Sequence, residues 1–67
     1  MNDVDPLAPL AEFDTGPWHV TVRQRVTGGL YWEATREGRA PVMLYMPMWF
    51  TIEDARENAV RMLRGRE

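Results

Sequence analysis

The 67-residue chain has no cysteine, no lysine and no serine, and it has one histidine, His19. Disulfides are therefore excluded, and a single histidine cannot supply a His/Cys zinc cluster. Nucleophilic catalysis on Ser or Cys and Schiff-base chemistry on Lys are excluded as well. A domain this small has a marginal core, and without disulfide or metal the remaining stabiliser is association. We expect no metal, no cofactor and a homodimer.

Enzymatic function has little support in the remaining residues. His19 is a candidate general base with Glu37 expected opposite it, but a polar histidine on a strand surface needs no catalytic role. The pair Gly28-Gly29 lies between two strand-like runs, whereas a phosphate-binding loop joins a strand to a helix. The sequence therefore predicts a non-enzymatic protein.

Long apolar runs are also missing, since none reaches the roughly 18 residues of a membrane span. The first residues, Met1-Asn2-Asp3-Val4-Asp5, are acidic and do not have the basic start of a signal peptide. We expect a cytoplasmic protein without membrane contact.

Charge is divided unevenly along the chain. Residues 1–17 carry four carboxylates and no arginine, whereas all eight arginines lie in residues 18–67. Three prolines lie in this acidic leader, which we expect to be largely irregular, with one short helical turn possible from Pro9 to Phe13. Such a leader can be an interaction tail or can fold against its own domain. Residues 18–67 are expected to form a single small α+β domain.

Three strands are predicted in that domain, at 18–26, 30–37 and 42–46, because apolar and polar residues alternate in the first two and Pro41 and Pro47 bracket the third. A loop of Thr27-Gly28-Gly29 sets Val26 opposite Leu30 and Arg23 opposite Glu33, and needs a glycine with positive φ. The third strand either pairs with the second or pairs across a dimer axis.

A helix follows, with Thr51 as N-cap, Asp54 at N3 and Gly65 as a left-handed C-terminal residue. Its expected apolar stripe is Ile52, Ala55, Ala59, Met62 and Leu63. The predicted fold class is α+β, a three-stranded antiparallel sheet of order 1-2-3 (βββα), with one C-terminal helix on one face that covers Val20, Val22, Leu30, Trp32, Leu44 and Met46. This order over residues 18–64 resembles the arm-type DNA-binding domains of site-specific recombinases and some antitoxin-like domains, a likeness of topology that implies no function.

The run from Pro41 to Phe50 is apolar on both alternating faces, which is more than one helix can cover. The outer sheet face is therefore expected to contact a second copy or a host protein, unless the leader's Leu7, Leu10 and Phe13 cover it. The predicted partner-binding residues are Tyr31, Met43, Tyr45, Met48 and Trp49, with Arg23 and Arg25 for orientation. A regulatory, inhibitor or adaptor protein of a bacterium, a phage or a mobile element fits this description.

Nucleic-acid binding is the alternative function. Arg23, Arg25, Arg36 and Arg39 lie on or near the predicted hairpin, and its aromatic residues could stack on bases. The isoelectric point of about 5.3 and the expected pairing of Arg23 with Glu33 argue against the basic stripe that phosphate binding requires.

Overall fold

The computed structural model describes residues 9–66. Within them, four strands precede one helix: β1 (Ala11–Thr15), β2 (Trp18–Gln24), β3 (Leu30–Thr35), β4 (Val42–Tyr45) and α1 (Ile52–Arg64). The strands form one antiparallel sheet in the order β1-β2-β3-β4, and α1 packs on one face. The predicted α+β class is confirmed, and the predicted number of three strands is wrong.

The additional strand is β1, in the leader that was expected to be largely irregular. Ala11 and Phe13 pack toward the core and Glu12 and Asp14 are exposed, which is the alternation of a strand. The predicted helical turn from Pro9 to Phe13 is therefore wrong. Pairing with β2 stabilises β1, because a lone strand this short has no partner for its backbone groups.

The β2–β3 hairpin differs from the predicted register by two residues. Val22 lies opposite Trp32 and Gln24 lies opposite Leu30. The connection is longer than predicted: the Arg25 N–H donates to the Gly29 oxygen, and the Gly28 N–H donates to the Arg25 oxygen, both at 3.0 Å. The prediction of one glycine with positive φ is confirmed, and both glycines of the loop have it, at 96° for Gly28 and 82° for Gly29.

A shift of two residues keeps every side chain on its predicted face but changes its neighbours. Arg23 lies opposite Tyr31, and Glu33 lies opposite Thr21, so the predicted pairing of Arg23 with Glu33 is wrong. His19 lies opposite Thr35, not Glu37. Val26 is not in the strand at all, and its side chain is fully exposed at the hairpin tip.

The core lies between the sheet and α1. Its buried members are Trp18, Val20, Val22, Leu30, Trp32, Ala34, Met46, Ala55, Ala59 and Leu63. The indole N–H of Trp32 donates to Asn58 Oδ1 on the helix at 2.9 Å, which satisfies the buried donor.

The N-terminus of α1 is as predicted. The Asp54 N–H donates to Thr51 Oγ1 at 3.1 Å and the Thr51 N–H donates to Asp54 Oδ2 at 3.0 Å, a complete capping box. No helix in residues 9–66 has both the length and the apolar character needed to cross a membrane.

Two features of α1 differ from prediction. Ile52 and Met62 are exposed, because the helix approaches the sheet along the small side chains of Ala55 and Ala59. Gly65 has a φ of −82° and is not left-handed. The Arg66 N–H donates to the Leu63 oxygen at 2.9 Å, so the helix ends in a right-handed turn that requires no glycine.

Strand β4 lies outside the cover of α1, which packs on β1, β2 and β3. Val42 and Leu44 point toward the helical side of the sheet and pack against the core, but both stay half-buried, so Leu44 is covered only in part. The strand ends before Pro47, as predicted, and the Met46 N–H still donates to the Leu30 oxygen at 2.8 Å.

Candidate interaction surface

The sheet face opposite α1 carries a cluster of aromatic, methionine and arginine side chains, which we call the outer patch. It consists of Arg23, Arg25, Tyr31, Met43 and Tyr45. These residues meet because Arg23 lies opposite Tyr31 in the β2–β3 register and Tyr31 lies opposite Tyr45 in the β3–β4 register. Together with Gln24, Val26 and Thr27 of the hairpin they line a shallow depression of about 360 Å³.

Two aromatic contacts order the outer patch. The rings of Tyr31 and Tyr45 meet edge to face, with centroids 5.5 Å apart and planes at 70°. The guanidinium carbon of Arg25 lies 4.5 Å from the centroid of the Tyr45 ring, a cation–π contact. Tyr45 nevertheless remains 58% exposed and Met43 remains 47% exposed. The patch is therefore preorganised and still open to a partner.

Met48 and Trp49 lie beside the outer patch, in the turn from Pro47 to Phe50 at the same end of the sheet. The Phe50 N–H donates to the Pro47 oxygen at 3.0 Å. Met48 packs on the hairpin, since a Cβ at Gly28 would lie 3.2 Å from its methyl carbon. The two side chains are 72% and 79% exposed. Of the seven predicted binding residues, five form the patch, and Met48 and Trp49 lie outside it as exposed side chains at the same end of the sheet.

Arg23 and Arg25 are the charged members of the outer patch. Ion pairs within residues 9–66 are those of His19 with Glu12 and Asp14, so neither arginine has a carboxylate partner there. The predicted neutralisation of Arg23 by Glu33 does not occur, because the register places Thr21 opposite that glutamate. The patch therefore has a local positive charge on a chain that is negative overall.

The four arginines proposed for nucleic-acid binding are not brought together. Arg36 stacks on Trp18, with its guanidinium carbon 5.3 Å from the ring centroid, on the helical side of the sheet. Arg39 lies in the β3–β4 turn, where its N–H donates to the Arg36 oxygen at 3.2 Å. That turn is at the opposite end of the sheet from Arg23 and Arg25.

A second polar cluster, which the sequence did not predict, lies on the outer face of β1 and β2. His19 Nδ1 is 2.8 Å from Asp14 Oδ1, and Nε2 is 3.0 Å from Glu12 Oε1. The hydrogen bond to Asp14, and then that to Glu12, raises the pKa of His19 above its ordinary value of 6.5. The alternating pattern Ala-Glu-Phe-Asp-Thr before Gly16-Pro17 was the signal for β1, and therefore for this cluster.

A groove of about 620 Å³ separates β1 from α1. Arg56 lies over the ring of Phe13 at 5.2 Å, and the rim mixes arginines with glutamates, so the groove favours no sign of ligand charge. In the described part of the chain, histidine and carboxylate side chains form no group that could hold a metal ion.

The outer patch is thus the surface whose residue types and exposure fit binding best. It contains no nucleophile with an adjacent base, and its only cations are two arginines. Comparison with protein-family models, with curated proteins and with solved structures finds no match for this chain.

Proposed function

We propose that the chain is a non-enzymatic protein–protein interaction module of the regulatory, inhibitor or adaptor kind, which binds through the outer patch and β4. The observation that carries the proposal is the exposure of neighbouring apolar side chains, Met43 and Tyr45, with no described element over them. Small domains rarely leave such side chains grouped at their surface without a partner. Tyr, Met and Arg are also the types enriched in the centres of interfaces.

Coverage by the leader of the same chain has no support in the described residues. Phe13 is on the helical side of the sheet, beneath Arg56. Leu10 precedes β1, at the sheet edge opposite β4, and is 45% exposed. Leu7, the third leader residue in that alternative, lies outside the described residues. We therefore propose that the partner is a separate molecule.

A second copy of the chain is the first partner we propose, with a host protein as the regulated target. A domain of this size that has no cysteine gains most from burying its remaining apolar surface in a homodimer. We place it in the cytoplasm and propose a bacterial, phage or mobile-element origin.

Sedimentation velocity of the full chain over a micromolar concentration series tests this function. We expect reversible association, weakened at least about tenfold by Tyr45→Ala, since an interface centre of this type carries more than 1.4 kcal/mol. Leu10→Ala is the matched control for Met43→Ala, because the two side chains are 45% and 47% exposed at opposite sheet edges. Only the Met43 variant should weaken association. A strict monomer throughout, or equal effects of the two variants, would contradict the proposal.

Single-stranded nucleic acid is a second candidate, favoured by one observation. Arg23 and Arg25, which have no carboxylate partner within residues 9–66, lie beside the exposed Tyr45 and the half-buried Tyr31, on which bases could stack. The separation of Arg36 and Arg39 from this pair limits the number of phosphates in reach.

Fluorescence anisotropy with mixed-sequence oligonucleotides distinguishes the two candidates. Under the nucleic-acid function, affinity falls with added salt, and Arg23→Gln lowers both affinity and the salt slope. Arg39→Gln removes the same charge at the other end of the sheet and should leave both unchanged. Binding that is absent at low salt, or equally sensitive to both arginines, would exclude this candidate.

A further inference from the structure

The open edge of the sheet at β4 has backbone groups whose direction can be assigned. The Met46 N–H donates to Leu30, and Leu44 lies opposite Trp32 in the same register. Hydrogen-bonded and non-hydrogen-bonded pairs alternate in an antiparallel ladder, so even-numbered residues of β4 bond to β3. The N–H and C=O groups of Met43 and Tyr45 therefore point away from the sheet.

Prolines delimit this edge on both sides. Pro41 and Pro47 are odd-numbered like Met43 and Tyr45, so their backbone also faces away from β3. Neither proline has an N–H to donate. The outward donors of the segment between them are thus those of Met43 and Tyr45. The segment is symmetric about Leu44, with one proline at equal distance on each side.

Within residues 9–66, no element covers this edge, and β4 itself carries no charge. No residue from Ala40 to Ile52 is charged, so a second copy brings no like charge to the pairing. Helix α1 does not reach β4, and Val42 and Leu44 are only half-buried on the helical side. The strand is therefore open along its edge and partly open on both faces, which is unusual for an edge.

We propose that β4 pairs antiparallel with β4 of a second copy, about a two-fold axis that passes through Leu44. The pairing joins the two sheets into one, with both helices on the same side. It rests on the proposed function, in that it specifies how the homodimer forms. The outer patches of the two copies then lie side by side, with Met43 opposite Tyr45 of the second copy.

The two prolines select this register, because the outward C=O groups of Met43 and Tyr45 also need donors. With the axis at Leu44, both outward N–H groups of each copy find an outward carbonyl, and Pro41 and Pro47 face each other beyond the bonded segment. With the axis at Met43, Tyr45 would lie opposite Pro41, and with the axis at Tyr45, Met43 would lie opposite Pro47. In each of those registers a proline without an N–H faces the carbonyl of Tyr45 or Met43, which is left without a donor. The Leu44 register also buries the Leu44 side chains against each other.

Cysteine scanning of the full chain tests the register, because the chain has no cysteine and a single one can only form an intermolecular disulfide. Leu44→Cys places two thiols in a non-hydrogen-bonded pair with Cα atoms about 4.5 Å apart, within disulfide range. We expect mild oxidation to give a covalent dimer of this variant. Ala11→Cys, also on the helical side but on the opposite edge strand, is the control and should give no covalent dimer.

Two further variants map the pairing. Val42→Cys lies about 13 Å from its own equivalent in the second copy, so it should not cross-link alone. Met46→Cys should not cross-link alone for the same reason. A mixture of the two should form a heterodimeric disulfide, because residue 42 lies opposite residue 46 of the second copy. Cross-linking of Val42→Cys alone as fast as Leu44→Cys would overturn the register.

Proline substitution tests the use of the outward backbone independently of side chains. Met43→Pro removes an N–H that makes no bond within the protomer, so we expect the fold to persist by circular dichroism and association to weaken at least about tenfold. Unchanged association in Met43→Pro would overturn edge pairing. If Leu44→Cys fails to cross-link while Tyr45→Ala still abolishes association, the edge proposal fails and the interaction function stands. If no association is seen at all, both fail.

Discussion

The two edge strands of this sheet are protected in different ways. On β1, the outer side chains Glu12 and Asp14 are carboxylates that bind His19, and the inner side chain Phe13 lies beneath α1 and Arg56. On β4, no side chain is charged, α1 does not reach the strand, and Met43 and Tyr45 are about half exposed. The β1 edge therefore carries charged side chains that oppose pairing, and the β4 edge carries none.

The difference shows that the position of a strand at an edge does not decide whether it can bind a partner. Charged side chains along an edge prevent a second chain from pairing there, because like charges would meet across the new ladder. Two β1 strands would bring their carboxylates together, whereas two β4 strands bring together only apolar side chains. We therefore expect β1 to serve folding and β4 to serve association.

The largest effect should come from Phe13→Ala. Phe13 is partly buried against the core, so its truncation should lower the free energy of unfolding by about 2–3 kcal/mol. Met43→Ala on β4 should cost less than about 1 kcal/mol in the protomer, since half of that side chain is already in water. Urea unfolding of both variants at low concentration checks this. Equal losses of unfolding free energy in the two variants would contradict the distinction between the edges.

The bond that holds α1 on β3 should have the next largest effect. Asn58→Ala leaves the buried indole N–H of Trp32 without an acceptor, which should cost about 2 kcal/mol. Glu57→Ala, at the neighbouring exposed position, is the control and should change the free energy of unfolding by less than about 0.5 kcal/mol. If Asn58→Ala left the free energy of unfolding unchanged, packing alone would determine how far the helix extends toward β4.

Exchanging the charges of the two edges tests directly whether carboxylates on an edge strand prevent pairing with a second chain. Met43→Glu gives β4 a carboxylate like those of β1, and we expect association to weaken at least about tenfold, or 1.4 kcal/mol. Glu12→Gln together with Asp14→Asn makes β1 neutral, and we expect species larger than a dimer at high concentration by light scattering. Dimerisation that tolerates Met43→Glu would show that β4 is not at the interface.

The smallest effect concerns the pH dependence of the β1 edge. The pKa of His19 is raised in the folded state, so the protonated imidazole stabilises the fold. This stabilisation is fully present below the ordinary histidine pKa of 6.5 and is lost as the pH rises through the raised pKa. NMR titration of the imidazole should show a pKa above 6.5 that falls in Asp14→Asn and, to a smaller extent, in Glu12→Gln. Thr35→Ala, on the other neighbouring strand, should leave it unchanged. An unshifted pKa of His19 would mean that the carboxylates oppose pairing at the β1 edge without binding His19.

The sequence by itself determined the features whose causes are local. The helix from Ile52 to Arg64 begins where it does because Thr51 and Asp54 cap it within one turn. Gly28 and Gly29 have positive φ because a tight hairpin requires it. The inner and outer faces of β2 and β3 follow from the alternation of apolar and polar residues, which gives a side chain's direction without knowledge of its neighbour.

Only the tertiary structure decided what depends on pairing. A hairpin shifted by two residues has the same alternation, so the sequence pattern could not separate Tyr31 from Glu33 as the residue opposite Arg23. Strand β1 has the alternation of a strand, but the prolines around it favoured an irregular leader, and pairing with β2 decided its structure. The partners of His19 were missed for the same reason. The reach of α1, which leaves β4 uncovered, is set by packing on Ala55 and Ala59 and by the bond from Trp32 to Asn58.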